Sequence, residues 1–129
     1  MFTKEQILEA TVKDAVQMIR ANLAENNWWA VRGLLAIYAK QTADEKAAET
    51  VSHDNGVGFT GTDGQILSSF AKQVNRWLAT APERRQYDFP LSAKQTAIVQ
   101  RKMPKYAGQL LRIAKAAAEV KPMETAAAA

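Results

Sequence analysis

Lys94, Arg101, Lys105 and Arg112 are spaced seven, four and seven residues apart. On a helix that turns about 100° per residue they project within roughly 40° of one another, as a single basic stripe. Val99, Met103, Tyr106, Leu110, Ile113 and Ala114 project from the other side, so the stripe should face water while its opposite packs inward. Lys102 and Lys115 flank it. Cations arrayed in this way can neutralise successive phosphates and release counterions along a duplex backbone or a single strand. A helix face that serves only solvation has the same pattern. A second group, Lys72, Arg76, Arg84 and Arg85, falls around the end of an earlier helix and the connection after it. It would either extend a phosphate-binding surface or cap the last carbonyls of that helix, and capping is the preferred reading.

Asn55-Gly56-Val57-Gly58-Phe59 joins small residues to the start of a helix near Thr62, the parts from which a backbone anion nest is made. Asn55, Gly56, Gly58 and Phe59 are therefore candidates for ligand or partner contact. The plainer reading is a structural loop pinned by a buried Phe59. The tract lacks the GxxxxGK[ST] pattern of a P-loop and no strand precedes it, so ATP binding is not expected. His53 is the only histidine, no Cys can join it, and Asp54 and Asp63 do not follow EF-hand spacing. A surface-loop histidine is expected, with no metal site, no cofactor and no catalytic residues, because no acid, base and nucleophile can be assembled from the motifs. Trp28, Trp29 and Trp77 could stack on bases if exposed. Core packing is expected for at least two of them, and a mixed patch with Arg76 would be of functional interest.

Helices must carry these side chains. Thr3-Lys4-Glu5-Gln6 is a capping box, and apolar residues then recur at three- and four-residue spacing, predicting one helix over about 3–24. After the Asn26-Asn27 turn signal, the stretch from Trp28 to Tyr38 is apolar nearly all round, as in a central buried helix. A box at Thr42-Ala43-Asp44-Glu45 either restarts a helix or continues this one to about Thr50. The principal loop covers 51–61. Thr62-Asp63-Gly64-Gln65 offers another box, with Ile66, Leu67, Phe70, Val74, Trp77 and Leu78 forming an amphipathic face to about Ala79. A polar connection with aromatic anchors spans Pro82 to Pro90. Ser92-Ala93-Lys94-Gln95 opens the last helical region, which Pro104 should kink or divide into about 92–102 and 104–118. The expected fold is all-α: a compact bundle of four to five helices with one Gly-rich loop and a Pro-kinked C-terminal helix. Residues 1–120 form one domain and 121–129 a frayed tail.

The chain has 129 residues, 47% of them hydrophobic and 23% charged, with six Gly and four Pro. That suits one soluble domain with one core rather than a disordered or fibrous chain. With no Cys, disulfides, thiolate chemistry and iron–sulfur clusters are excluded. The sequence opens directly into a pattern bearing Glu5, Glu9 and Asp14, unlike a signal peptide, and its longest apolar run carries Arg32 and is too short to span a bilayer. A cytoplasmic protein is expected. The net charge of +4 modestly favours polyanionic partners.

The tract Trp29-Ala30-Val31-Arg32-Gly33-Leu34-Leu35-Ala36-Ile37-Tyr38-Ala39-Lys40-Gln41-Thr42, then Asn55–Phe59 with Asp63, then Leu91–Gln95 and Lys102-Met103-Pro104-Lys105-Tyr106-Ala107-Gly108-Gln109-Leu110, resembles a short module of small phage and plasmid proteins. Similar segments lie beside phage helicase or recombination enzymes. The resemblance covers about 28–111 and implies a mobile-element accessory protein near DNA replication or recombination, without supplying catalytic residues. The expectation is nucleic-acid binding through the basic stripe, with DNA favoured. The alternative is an inhibitor that binds a host protein, as an anti-defence or anti-restriction factor. No membrane partner is expected, and oligomeric state stays open.

Overall fold

The computed structural model describes residues 1–48 and 58–128, with side chains described within 1–43 and 58–118. Its helices are α1 (Lys4–Glu9), α2 (Val12–Glu25), α3 (Asn27–Ala48), α4 (Gly61–Ala79), α5 (Ala93–Lys102) and α6 (Ala107–Ala128). Short 3-10 turns occupy Pro82–Arg84 and Met103–Tyr106.

Thr3 and Gln6 form the expected capping box at the start of α1. The single helix predicted over 3–24 is in fact two. Ala10 is extended, and the Thr11 hydroxyl accepts the Asp14 N–H to begin α2. Thr11-Val12-Lys13-Asp14 is thus a second cap hidden inside an uninterrupted apolar rhythm, and breaking there lets α1 lay Ile7 into the core against α2. At the next junction Asn26 Oδ1 accepts the Trp29 N–H at 2.9 Å and caps α3.

Helix α3 buries Ala30, Val31, Leu34 and Ile37 but turns Trp28 and Arg32 to solvent, so it is central without being buried all round. Gly33 lets α3 lie close against its neighbours: a β-carbon there would stand 3.0 Å from Leu23 and 3.2 Å from Leu110. Of the two readings of Thr42, continuation holds. Its hydroxyl donates to the Tyr38 and Ala39 carbonyls inside the helix instead of capping a new one.

Helix α4 starts at Gly61, with Thr60 as its flanking residue, rather than at the predicted Thr62 box. It presents Leu67, Phe70, Ala71 and Val74 to the core. The Ser92–Gln95 box starts α5 as expected. Pro104 acts as predicted: α5 ends at Lys102, a 3-10 turn intervenes, and α6 begins at Ala107. The helical backbone of α6 runs to Ala128, well beyond the expected end near Ala118, and its many alanines are the strongest of helix formers.

Helix α2 packs against α3, α6 and the Met103–Tyr106 turn, while α3 also meets α4 and α5. One core of buried side chains joins all of them, with Ile19, Leu23, Leu34, Leu67, Met103 and Tyr106 nearly inaccessible. The molecule is an all-α bundle with no strand among the described residues. Among the described residues, no helix is long and apolar enough to cross a membrane.

Candidate nucleic-acid interface

Trp28, at the start of α3, keeps 42% exposure, so not all of the tryptophans are spent on the core. Its ring meets Phe89 edge-on at 4.7 Å and lies 6.2 Å from Trp77 on α4. The indole N–H of Trp77 donates to the Tyr87 carbonyl at 2.9 Å, which draws the 82–90 connection over the end of α4. Tyr87 itself is 69% exposed and Leu78 is also open to solvent. The result is an aromatic patch built from α3, α4 and the segment between α4 and α5.

Arg85 lies over the Trp77 ring at 3.9 Å. Its Nε donates to the Trp77 and Thr80 carbonyls and its Nη2 to that of Leu78. Arg85 therefore caps α4, as the preferred sequence reading held, and stacks in the same pose. Arg76 and Arg84 are exposed beside it, with no side-chain partner among the described residues.

The four cations of the sequence stripe differ in what they meet in the structure. Lys94 and Arg101 stay aligned on the outer face of α5, exposed and without partners among the described residues. Gln100, next to Arg101, donates to Asn27 at 3.0 Å, so this part of α5 adjoins the residue before Trp28. Lys105 falls in the 3-10 turn, where each residue advances about 120° instead of about 100°, and it pairs with Asp63. Lys102 pairs with the same carboxylate at 3.1 Å. Arg112 is exposed on α6 but is also engaged.

Asp63 is the buried acid that takes these lysines, and its side chain is only 2% exposed. Tyr106 donates to its Oδ2 at 2.8 Å, while the Thr60 backbone N–H donates to the Tyr106 oxygen at 3.0 Å. Burial alone would raise the Asp63 pKa. The hydrogen bonds from Lys105, Tyr106 and Lys102 outweigh it and hold the carboxyl well below the usual carboxylate range. Lys105 is pushed up by its bond to Asp63, and Tyr106 is pushed up chiefly by burial. This cluster locks α4 to the α5–α6 junction and leaves Lys102 and Lys105 tied to a carboxylate rather than free for phosphate.

Gly58 and Phe59 are similarly committed. The Gln109 amide brackets Gly58, accepting its N–H at 2.9 Å and donating to its carbonyl at 3.0 Å. Gln41 Oε1 accepts the Phe59 N–H at 3.0 Å, and the half-buried Phe59 ring meets Tyr106 edge-on. This end of the loop is pinned as the plainer sequence reading supposed. Asn55, Gly56 and His53 lie outside the described residues. No group of three acidic or histidine side chains among the described residues could hold a metal ion.

Sequence reasoning missed Asp63 because the third position of a first turn reads as an ordinary cap or dipole partner. The expectation that at least two tryptophans pack left room for an exposed Trp28, whereas Tyr87, one of the aromatics expected to anchor the 82–90 connection, is instead largely exposed. Comparison with protein-family models, with curated proteins and with solved structures finds no match to this chain.

Proposed function

We propose that this protein is a nucleic-acid-binding accessory protein that holds single-stranded DNA on the surface formed by Trp28, Tyr87, Arg76, Arg84, Lys94 and Arg101. The observation that carries the reading is the exposed aromatic patch, with the unpartnered Arg76 and Arg84 next to Trp77 and Arg85 in the chain, and Lys94 and Arg101 exposed on α5, whose Gln100 bonds to Asn27 beside Trp28. Rings offer a π face to any unpaired base, and the cations supply the sequence-independent attraction to phosphate. A stacked duplex offers no free base face at its flank, which favours the single strand. The resemblance of residues 28–111 to phage and plasmid modules supports a place near replication or recombination on a mobile element. Lys102 and Lys105 serve the fold in this reading, and Arg85 presents the Trp77 ring.

The test is fluorescence anisotropy with labelled single- and double-stranded DNA at low and moderate salt. Lys94→Glu/Arg101→Glu and Trp28→Ala/Tyr87→Ala variants are compared with the unaltered protein. Salt-sensitive binding that prefers the single strand and is weakened in both variants supports the proposal. Absence of binding at low salt rejects it.

A second reading rests on Leu78, 48% exposed and next to Trp77 in α4. An aromatic, leucine and arginine patch also has the composition of a protein-binding hot spot. A stoichiometric host protein, captured by the unaltered chain but not by Trp28→Ala/Leu78→Ala, would favour the inhibitor over the DNA binder.

A further inference from the structure

On the side of the bundle where the amino-terminal strap crosses α3 and α6, a cavity of about 460 Å³ opens among residues that the DNA-binding surface does not use. It falls within the roughly 300–1,000 Å³ of small-molecule sites. Helix α3 lines it with Trp29, Arg32, Gly33 and Ala36, and α6 with Leu110, Ile113, Ala114 and Ala117. Each set recurs at three and four residues over two turns, so the cavity is a slot about 10 Å long between two helices.

One wall is a built feature. The strap ahead of α1 is held by Asn22, which is fully buried. Asn22 Oδ1 accepts the Phe2 N–H and its Nδ2 donates to the Phe2 carbonyl, both at 2.9 Å. Phe2 is thereby kept at the cavity while 37% of it remains open to solvent, instead of collapsing into the slot.

Among the described residues, the charged side chains at the slot are of one sign. Lys4 and Arg32 line it, both exposed and both without a side-chain partner among the described residues. Among the described residues, no carboxylate lines it. An apolar slot with two unpaired cations complements a molecule with an extended apolar body and one anionic end. It does not suit an amine, which would meet two like charges, and a neutral alcohol would leave the cations unused.

We propose that this slot binds a single-chain amphipathic carboxylate of the fatty-acid class, with the acyl chain between α3 and α6 and the carboxylate on Arg32 and Lys4. Trp29 lines the slot and reports its filling.

The probe is decanoate, with decanol and decylamine as comparators at the same submicellar concentrations, followed by tryptophan fluorescence and by thermal unfolding. Decanoate is expected to saturate at one molecule per chain and to raise the unfolding temperature, since a ligand that binds only the folded state stabilises it. Arg32→Gln/Lys4→Gln should weaken decanoate about tenfold, the loss expected of a charge-assisted hydrogen bond, while leaving decanol unchanged. Ala36→Phe, which fills the slot without altering charge, should abolish binding of both. Circular dichroism of each variant establishes that it folds, and Ala114→Phe replaces Ala36→Phe if that chain does not. Three results overturn the proposal: no saturable decanoate binding, equal affinity for decylamine, or binding that survives filling of the slot. Ala36→Phe alters no charge and none of the residues of the proposed DNA-binding surface, so DNA binding is expected to persist in it whether or not the slot takes decanoate.

Discussion

Asp63 stands among the Lys105, Tyr106 and Lys102 donors, with the Thr60 hydroxyl donating from 3.4 Å, and its side chain is 2% exposed, so its charge is tolerated only while these partners remain in place. Replacing it with Asn should destabilise the fold by about 2–3 kcal/mol at neutral pH, because charged hydrogen bonds to a buried group are lost together. Chemical denaturation of the two proteins measures this. The pH dependence has a definite sign. The folded carboxyl titrates below the unfolded value of about 3.9, so the unfolded chain binds more protons at acid pH, and this stabilisation is present above about pH 4 and lost as pH falls below it. The Asp63→Asn protein should show a flatter stability profile between pH 5 and pH 3; a parallel profile would remove Asp63 as the cause. On the alkaline side, Lys105 and Tyr106 are both raised, so their contribution holds below about pH 10 and fades above it. Gly58 makes a second point at this scale. Its φ of +90° and the Gln41 atoms 2.8 Å from where a β-carbon would sit oppose any side chain. Gly58→Ala should lower stability by about 1–3 kcal/mol, read as an earlier denaturation midpoint.

Among the elements, α5 and the turn after it decide which cations are free. The Ser92–Gln95 box starts α5, and the Gln95 and Gln73 amides bond reciprocally at 2.8 and 3.0 Å, fastening it to α4. Losing the Ser92 hydroxyl to Ala should cost about 1 kcal/mol in equilibrium unfolding. At the other end, Pro104 replaces α-helical geometry with a 3-10 turn and moves Lys105 towards Asp63. Lys94 and Arg101 precede that turn and share a face seven residues apart, whichever way the turn bends. Charge reversal at these two should therefore weaken DNA binding with little change in unfolding midpoint. Lys105→Glu should act in the opposite sense, lowering stability by placing a second carboxylate beside Asp63. Running the binding and unfolding measurements on the same preparations separates the two effects.

At the scale of the whole molecule, the surface proposed to bind DNA collects residues from α3, α4, α5 and the 82–90 connection. Four phosphate contacts from Arg76, Arg84, Lys94 and Arg101 should give a slope of log affinity against log salt of about −3, at roughly −0.7 per contact on a single strand. Lys94→Glu/Arg101→Glu should reduce that slope by about half, which a salt titration from low to moderate ionic strength will reveal. A slope near zero in the unaltered protein would leave the cations outside the interface.

Much of the fold is legible in the residues themselves. The boxes at Thr3 and Ser92, the dividing proline and the helical spacing of apolar residues are local signals, since a cap, a missing N–H and a 3.6-residue period act within a turn or two of the backbone. They were enough for an all-α bundle and for most helix limits. The break at Ala10–Thr11 was harder to see because a cap embedded in continuous apolar spacing looks like any polar residue in a helix. What tertiary structure alone decided is which charges are spent. Lys102 and Lys105 are 39 and 42 residues from the aspartate that neutralises them, Arg85 finds its carbonyls across a turn, and Trp28 stays exposed because Phe89 and Trp77 meet only part of its ring. A side chain's type and spacing determine which interactions it can make. Which partner it meets depends on the packing of distant helices, and no periodicity along the chain encodes that.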